Sequence, residues 1–168
     1  MTVLTRPPSD VIALDAETGR ALWTYEHKLS GRVYTCCGEV NRGLAILGST
    51  LFLTTLDAQL IALDARAGRV VWKKALADPA LNYTATGAPL AIKDKVIVGI
   101  AGAEGGIRGF LDAYDPVTGE RIWRLWTVPA PGEPGSETWG GDSWKNGGAS
   151  TWLTGSYDPA LNLTYWGV

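Results

Sequence analysis

The residues able to do chemistry are few and fall in four short segments. Cys36 and Cys37 are the sole cysteines of the chain and are adjacent. A bond between neighbours closes a strained eight-membered ring, because ordinary disulfides join more widely separated Cα atoms. Two reduced, buried cysteines are the other reading of such a pair. A metal site is disfavoured, since His27 is the lone histidine and there is no second cysteine cluster. Arg42 follows five residues later. It is either a surface cation or a group placed to stabilise negative charge as it develops. Thr86, in Tyr83-Thr84-Ala85-Thr86-Gly87, offers a hydroxyl on an extended segment. Gly99–Gly109 is a glycine-rich stretch with one carboxylate, Glu104. Carboxylates are hard oxygen ligands suited to Ca²⁺, and glycines let backbone approach a ligand closely; solvation is the alternative for a lone Glu. Trp152 closes Trp144-Lys145-Asn146-Gly147-Gly148-Ala149-Ser150-Thr151-Trp152. It is either one more packing residue or a flat surface for a planar ligand.

The elements that must position these residues are set by a repeat. Ala13–Trp23, Ala62–Trp72 and Ala113–Trp123 align without gaps as Ala-x-Asp-x-x-x-Gly-x-x-x-Trp, their tryptophans 49 and 51 residues apart. A degenerate fourth copy is read at Ser156–Trp166. Each copy reads as strand, turn, strand: Asp caps the turn through the backbone and Gly takes positive φ. Further strands are predicted at Leu44–Leu47, Leu51–Thr54, Ala88–Ile92 and Val96–Gly99, and no ten-residue stretch carries a helical period. Four strands per unit of roughly 50 residues is the β-propeller blade. The fold class is therefore all-β: about three four-stranded blades of a partial propeller in one domain over residues 1–168. The first unit is expected to lack its outer upstream strands. A small β-sandwich is the alternative. The chain's ends cut through units, so it reads as a fragment.

Composition narrows the function. Net charge is −2 and well mixed, with no Lys/Arg stripe for nucleic acid and no apolar run near the roughly 18 residues that span a bilayer. The N-terminus does not read as a signal peptide. Gly (21) and Trp (8) are abundant, as tight turns and repeated packing plugs require.

The repeat resembles the tryptophan-docking motif of quinoprotein alcohol dehydrogenases of the methanol/ethanol dehydrogenase class, eight-bladed propellers that use pyrroloquinoline quinone (PQQ) and a metal ion. Cys-Cys-x-x-x-Asn-Arg-Gly, the Gly-Ala-Glu loop and the Gly-Gly-x-x-x-Trp segment are similar to that family's signatures. The resemblance implies a vicinal disulfide Cys36–Cys37 against one face of PQQ and Trp152 under the other. It implies Arg42, Thr86, Gly102, Ala103 and Ser150 as further cofactor contacts, and Glu104 as a metal ligand to Ca²⁺ or a lanthanide. Ala101 departs from relatives that carry Ser there, and Ser150 stands where relatives often place Thr or Pro. Trp23, Trp72, Trp123, Trp139, Trp144 and Arg108 are assigned to packing. The resemblance further implies oxidation of primary alcohols, ethanol-type rather than methanol-type, with electrons passing to a cytochrome c in the periplasm. The family's catalytic Asp and a Gly-Asn-Pro ligand segment would fall beyond Val168, so the isolated chain is expected to bind PQQ weakly or not at all and to be inactive. A non-catalytic PQQ-like repeat scaffold is the competing reading.

Overall fold

The computed structural model describes residues 1–168 and is all-β apart from short 3-10 turns. Thirteen strands form four antiparallel sheets. The first is β1 (Thr2–Arg6), β2 (Asp10–Leu14) and β3 (Ala21–Tyr25). The second is β4 (Leu44–Leu47), β5 (Thr50–Thr54), β6 (Gln59–Asp64) and β7 (Val70–Ala75). The third is β8 (Leu90–Ile92), β9 (Lys95–Gly99), β10 (Phe110–Tyr114) and β11 (Arg121–Trp126). A two-stranded ribbon, β12 (Ser156–Asp158) and β13 (Leu163–Tyr165), follows. Two sheets are thus complete four-stranded blades. The first unit carries one strand more than expected, since β1 pairs with β2 from Thr2↔Leu14 to Arg6↔Asp10. The alternation in Thr2-Val3-Leu4-Thr5-Arg6 is too short and polar to announce a strand without its partner.

The repeat explains how the sheets stack. In each full copy an Asp accepts two backbone N–H bonds, as Asp64 does from Arg66 and Ala67, and a Gly near φ +70° closes the turn. That glycine is also where the preceding blade's tryptophan lands. Trp72 Nε1 donates to the Pro116 carbonyl at 3.2 Å, and a Cβ on Gly119 would lie 2.8 Å from the Trp72 ring. Trp23 repeats this on Ala65 and Gly68. The Ser156–Trp166 copy shares the turn: Asp158 caps Ala160 and Leu161, and Asn162 takes φ +55°. Its packing differs. Trp166 Nε1 bonds the Thr151 carbonyl, the Asn162 side chain meets Lys93 of the β8–β9 turn, and Trp123 remains 37 % exposed.

Between the second and third sheets lies the largest core cluster, with Phe52, Leu60, Val98, Ile100, Ile107 and Phe110 buried. Arg124 bridges it. Its guanidinium bonds both oxygens of fully buried Asp112 at 2.7 Å, donates to the Leu76 carbonyl and stacks 3.5 Å over Phe110. Burial, then the Asp112 charge, pushes the Tyr114 hydroxyl far above its ordinary pKa. Trp72→Ala removes the plug and its carbonyl bond. It is expected to cost about 3 kcal/mol, read as a lower urea midpoint at unchanged m-value.

Candidate functional site

Four connections run to one end of the sheets, where β5 and β9 finish. They are the links β3–β4 (26–43), β7–β8 (76–89), β9–β10 (100–109) and β11–β12 (127–155). Together they wall a solvent-open cleft.

Segments 26–43 and 76–89 meet through Arg42, whose backbone N–H donates to the Thr86 carbonyl at 3.1 Å and whose Nη1 reaches the same oxygen at 3.4 Å. The Arg42 guanidinium lies 4.7 Å over the Trp152 ring, a cation–π contact that brings in the fourth segment. Cys36 and Cys37 are bonded to each other, their Cα atoms 3.8 Å apart, and both line the cleft. The Gly-rich loop is pinned to 82–84. Thr84 and Ala101 exchange backbone hydrogen bonds at 3.0 and 2.7 Å, and Asn82 Nδ2 donates to the Gly105 carbonyl at 3.0 Å. Its glycines are required chiefly by this approach. A Cβ on Gly102, at φ +117°, would strike the Asn82 carbonyl oxygen, and one on Gly105 the Asn82 side chain. Glu104 stands exposed at the start of the 3-10 turn Ala103–Gly105, in no salt bridge, its carboxylate at the cleft. Arg108 is occupied elsewhere: it donates to the Val128 carbonyl and Glu133 and lies against Trp126 and Trp144.

Eight of the nine positions singled out from the sequence line this cleft: Cys36, Cys37, Arg42, Thr86, Gly102, Glu104, Ser150 and Trp152. Ala103 does not. Successive side chains in a 3-10 turn point about 120° apart, so Ala103 faces Gly148 while Glu104 faces the cleft. The cleft also takes in Tyr34, Thr35, Val40, Thr84 and Ala101, which the sequence reading passed over as site residues. Thr84 had a legible signal: it stands two residues before Thr86, and in extended chain alternate residues share a face. Thr151, the anchor of Trp152, had none. Its Oγ1 donates to the Phe110 carbonyl at 2.6 Å and accepts from Ile100 N–H at 2.9 Å, contacts made 41 and 51 residues away.

The donor set suits a flat anionic ligand beside a cation. A half-exposed indole and a disulfide supply apolar walls, Arg42 a positive charge, Thr84 and Thr86 hydroxyls, and Glu104 a hard oxygen donor. No other carboxylate that lines the cleft accompanies Glu104.

A blade built on docked tryptophans with such a cleft at one end defines a quinoprotein-type propeller, and similarity to known proteins carries the same message. The family model for the β-propeller domain of PQQ-dependent glucose/ethanol/alcohol dehydrogenases matches residues 2–168, and the chain belongs to that family. It is 46% identical over 95% of its length to quinohemoprotein alcohol dehydrogenase ADH IIB of Pseudomonas putida. A solved europium-containing methanol dehydrogenase superposes with a TM-score of 0.88 at 40% identity over 96% of this chain and 32% of that one. BamB from Moraxella catarrhalis reaches a TM-score of only 0.53 at 26% identity over 73% of this chain. The chain spans about a quarter to a third of the length of its curated relatives. These likenesses exclude the small β-sandwich.

Proposed function

We propose that this chain forms part of the cofactor site of a periplasmic PQQ- and metal-dependent dehydrogenase that oxidises primary alcohols and passes electrons to a cytochrome c. One observation carries the reading: side chains from four segments, as far apart as Cys36 and Trp152, line a single cleft. When bound, PQQ would supply the two-electron oxidation of the alcohol. The chain's own residues bind and orient it. Trp152 and the Cys36–Cys37 bond restrict a planar ring to one orientation. Arg42 places positive charge beside it, which favours the reduced, more negative form. Thr84 and Thr86 offer hydroxyl donors, and Glu104 is the oxygen ligand for Ca²⁺ or a lanthanide. A disulfide of this kind fits an oxidising compartment, which is the basis for the periplasmic assignment. The Pro131–Trp139 and Leu153–Pro159 stretches favour an ethanol-type over a methanol-type substrate.

Removing the hydroxyl proton of an alcohol needs a base near the reacting carbon. Glu104, the lone carboxylate lining the cleft, is committed to the metal in this reading. The 168 residues alone are therefore inactive, and the base is supplied from outside them. The test is a titration with PQQ, with and without Ca²⁺ or La³⁺, followed by quenching of tryptophan fluorescence. At most weak quenching, strengthened by metal, is expected, and Glu104→Gln should remove the metal effect. A metal effect that survives Glu104→Gln would sink the ligand assignment. Alcohol-dependent dye reduction by the 168-residue chain with PQQ and metal would overturn its inactivity. The scaffold alternative predicts neither binding nor turnover.

A further inference from the structure

The loop that carries the two cysteines runs from His27 to Gly43 without a strand. Loops of that length need outside contacts to hold one conformation. Its tip, residues 32–39, makes no hydrogen bond to any other segment of the chain. The order of the tip therefore rests on the two stems.

Both stems are held by the short connection between β5 and β6, the second of them also by the Arg42 N–H bond to the Thr86 carbonyl. At the first stem Asp57, wholly buried, accepts from His27 Nε2 at 2.8 Å, from Ser30 N–H at 3.0 Å and from Ser30 Oγ at 2.9 Å. At the second, Asn41 Nδ2 donates to the Thr54 carbonyl at 3.1 Å, and Asn41 Oδ1 accepts from Gly43 N–H at 2.9 Å. The turn itself is braced, since Thr55 Oγ1 and Gln59 Nε2 also donate to Asp57. Tyr25 and Asp10 support His27 from the first sheet. Burial raises the Asp57 pKa, but the bonds from His27, Thr55 and Ser30 outweigh it and hold the carboxyl well below the usual carboxylate range. The acceptor is thus an anion, and its hydrogen bonds are of the stronger, charge-assisted kind.

We propose that the turn Thr54–Asp57 is a clamp that positions the Cys36–Cys37 wall of the cleft, with Asp57 and Asn41 as positioning residues that act through the loop rather than on the ligand. Gripping residues 30 and 41 leaves only the segment between them free, which limits the conformations open to the disulfide. In the third sheet the same connection, β9–β10, is long and carries Glu104. In the second it is short, and its use is to hold the neighbouring loop. The proposal refines the PQQ-site reading, yet the clamp can be tested without the cofactor.

The experiment follows reduction of the disulfide in cofactor-free protein by a limiting phosphine, scored as thiol release. Asp57→Asn and Asn41→Ala are compared with Asp112→Asn. The last breaks the Asp112–Arg124 pair within the third sheet, away from the cysteine loop, and serves as a control for general loss of stability. Asp57→Asn and Asn41→Ala are expected to speed reduction about tenfold relative to Asp112→Asn at equal distance below the melting temperature, with faster amide exchange confined to residues 28–41. If Asp57→Asn does not fold, Ser30→Ala with Asn41→Ala carries the same expectation. Reduction no faster than in Asp112→Asn overturns the clamp. A parallel PQQ titration separates the two claims. Faster reduction in the two variants upholds the clamp whether or not the 168-residue chain binds PQQ, and a metal effect that survives Glu104→Gln counts against the cofactor reading alone. PQQ binding with unchanged reduction overturns the clamp alone.

Discussion

Trp152→Ala is expected to weaken PQQ binding by more than about a hundredfold while leaving the fold intact. The indole is 44 % exposed at the cleft, so roughly half of its surface is available to a planar ligand. Covering about 100 Å² of it is worth about 2.5 kcal/mol, and the stacking geometry adds about 1 kcal/mol. The sum exceeds two decades in Kd. Arg42 also loses the ring it lies over at 4.7 Å, which loosens the cation at the cleft. Because the ring is half-exposed and its backbone is anchored through Thr151, the melting temperature should move little. Trp152→Phe should recover most of the affinity, since it restores a flat apolar face. The measurement is fluorescence or absorbance titration with PQQ. An alanine variant that binds within threefold of wild type would show that the ring is not the floor of the site.

Gly99→Ala should be the most damaging small substitution. Gly99 ends β9, paired with Leu111, and its Cα lies against the Thr151 backbone. A methyl there would overlap the Thr151 carbonyl oxygen and sit 2.7 Å from Thr151 Oγ1. Backbone cannot swing aside as a side-chain tip can, so the segment bearing Trp152 must be pushed off. That breaks Thr151 Oγ1 from the Phe110 carbonyl and from Ile100 N–H, and Trp166 Nε1 from the Thr151 carbonyl. Overpacking together with a stranded buried N–H amounts to about 3–4 kcal/mol. The expected result is a lower urea midpoint at unchanged m-value, with PQQ affinity falling alongside, because Trp152 follows Thr151 directly. Gly140→Ala, with nothing within 4 Å of its added methyl, should stay within about 0.5 kcal/mol of wild type.

Much of this molecule was readable from local pattern. The Asp-x-x-x-Gly core of each copy became the same capped turn, and Trp23 and Trp72 became the plugs their spacing announced. The strands around them fell within a residue or two of expectation. The Cys-Cys, Gly-Ala-Glu and Gly-Gly-x-x-x-Trp segments pointed to one ligand site, and the cleft holds residues from each. Errors arose where a residue's role depends on a distant partner. β1 is a strand because β2 supplies its hydrogen bonds.

What the amino-acid sequence determined unaided is the set of parts: the blade repeat and its turn chemistry. These are effects of neighbouring residues on one another, so they survive as spacing along the chain. Tertiary structure alone decided that Cys36, Thr86, Glu104 and Trp152 share one cleft, that Thr84 joins them, and that Asp57 and Thr151 hold two of its walls. Those contacts follow from how docked tryptophans set one sheet beside the next. A glycine that seats a tryptophan some fifty residues upstream leaves no mark in its own neighbourhood beyond being a glycine.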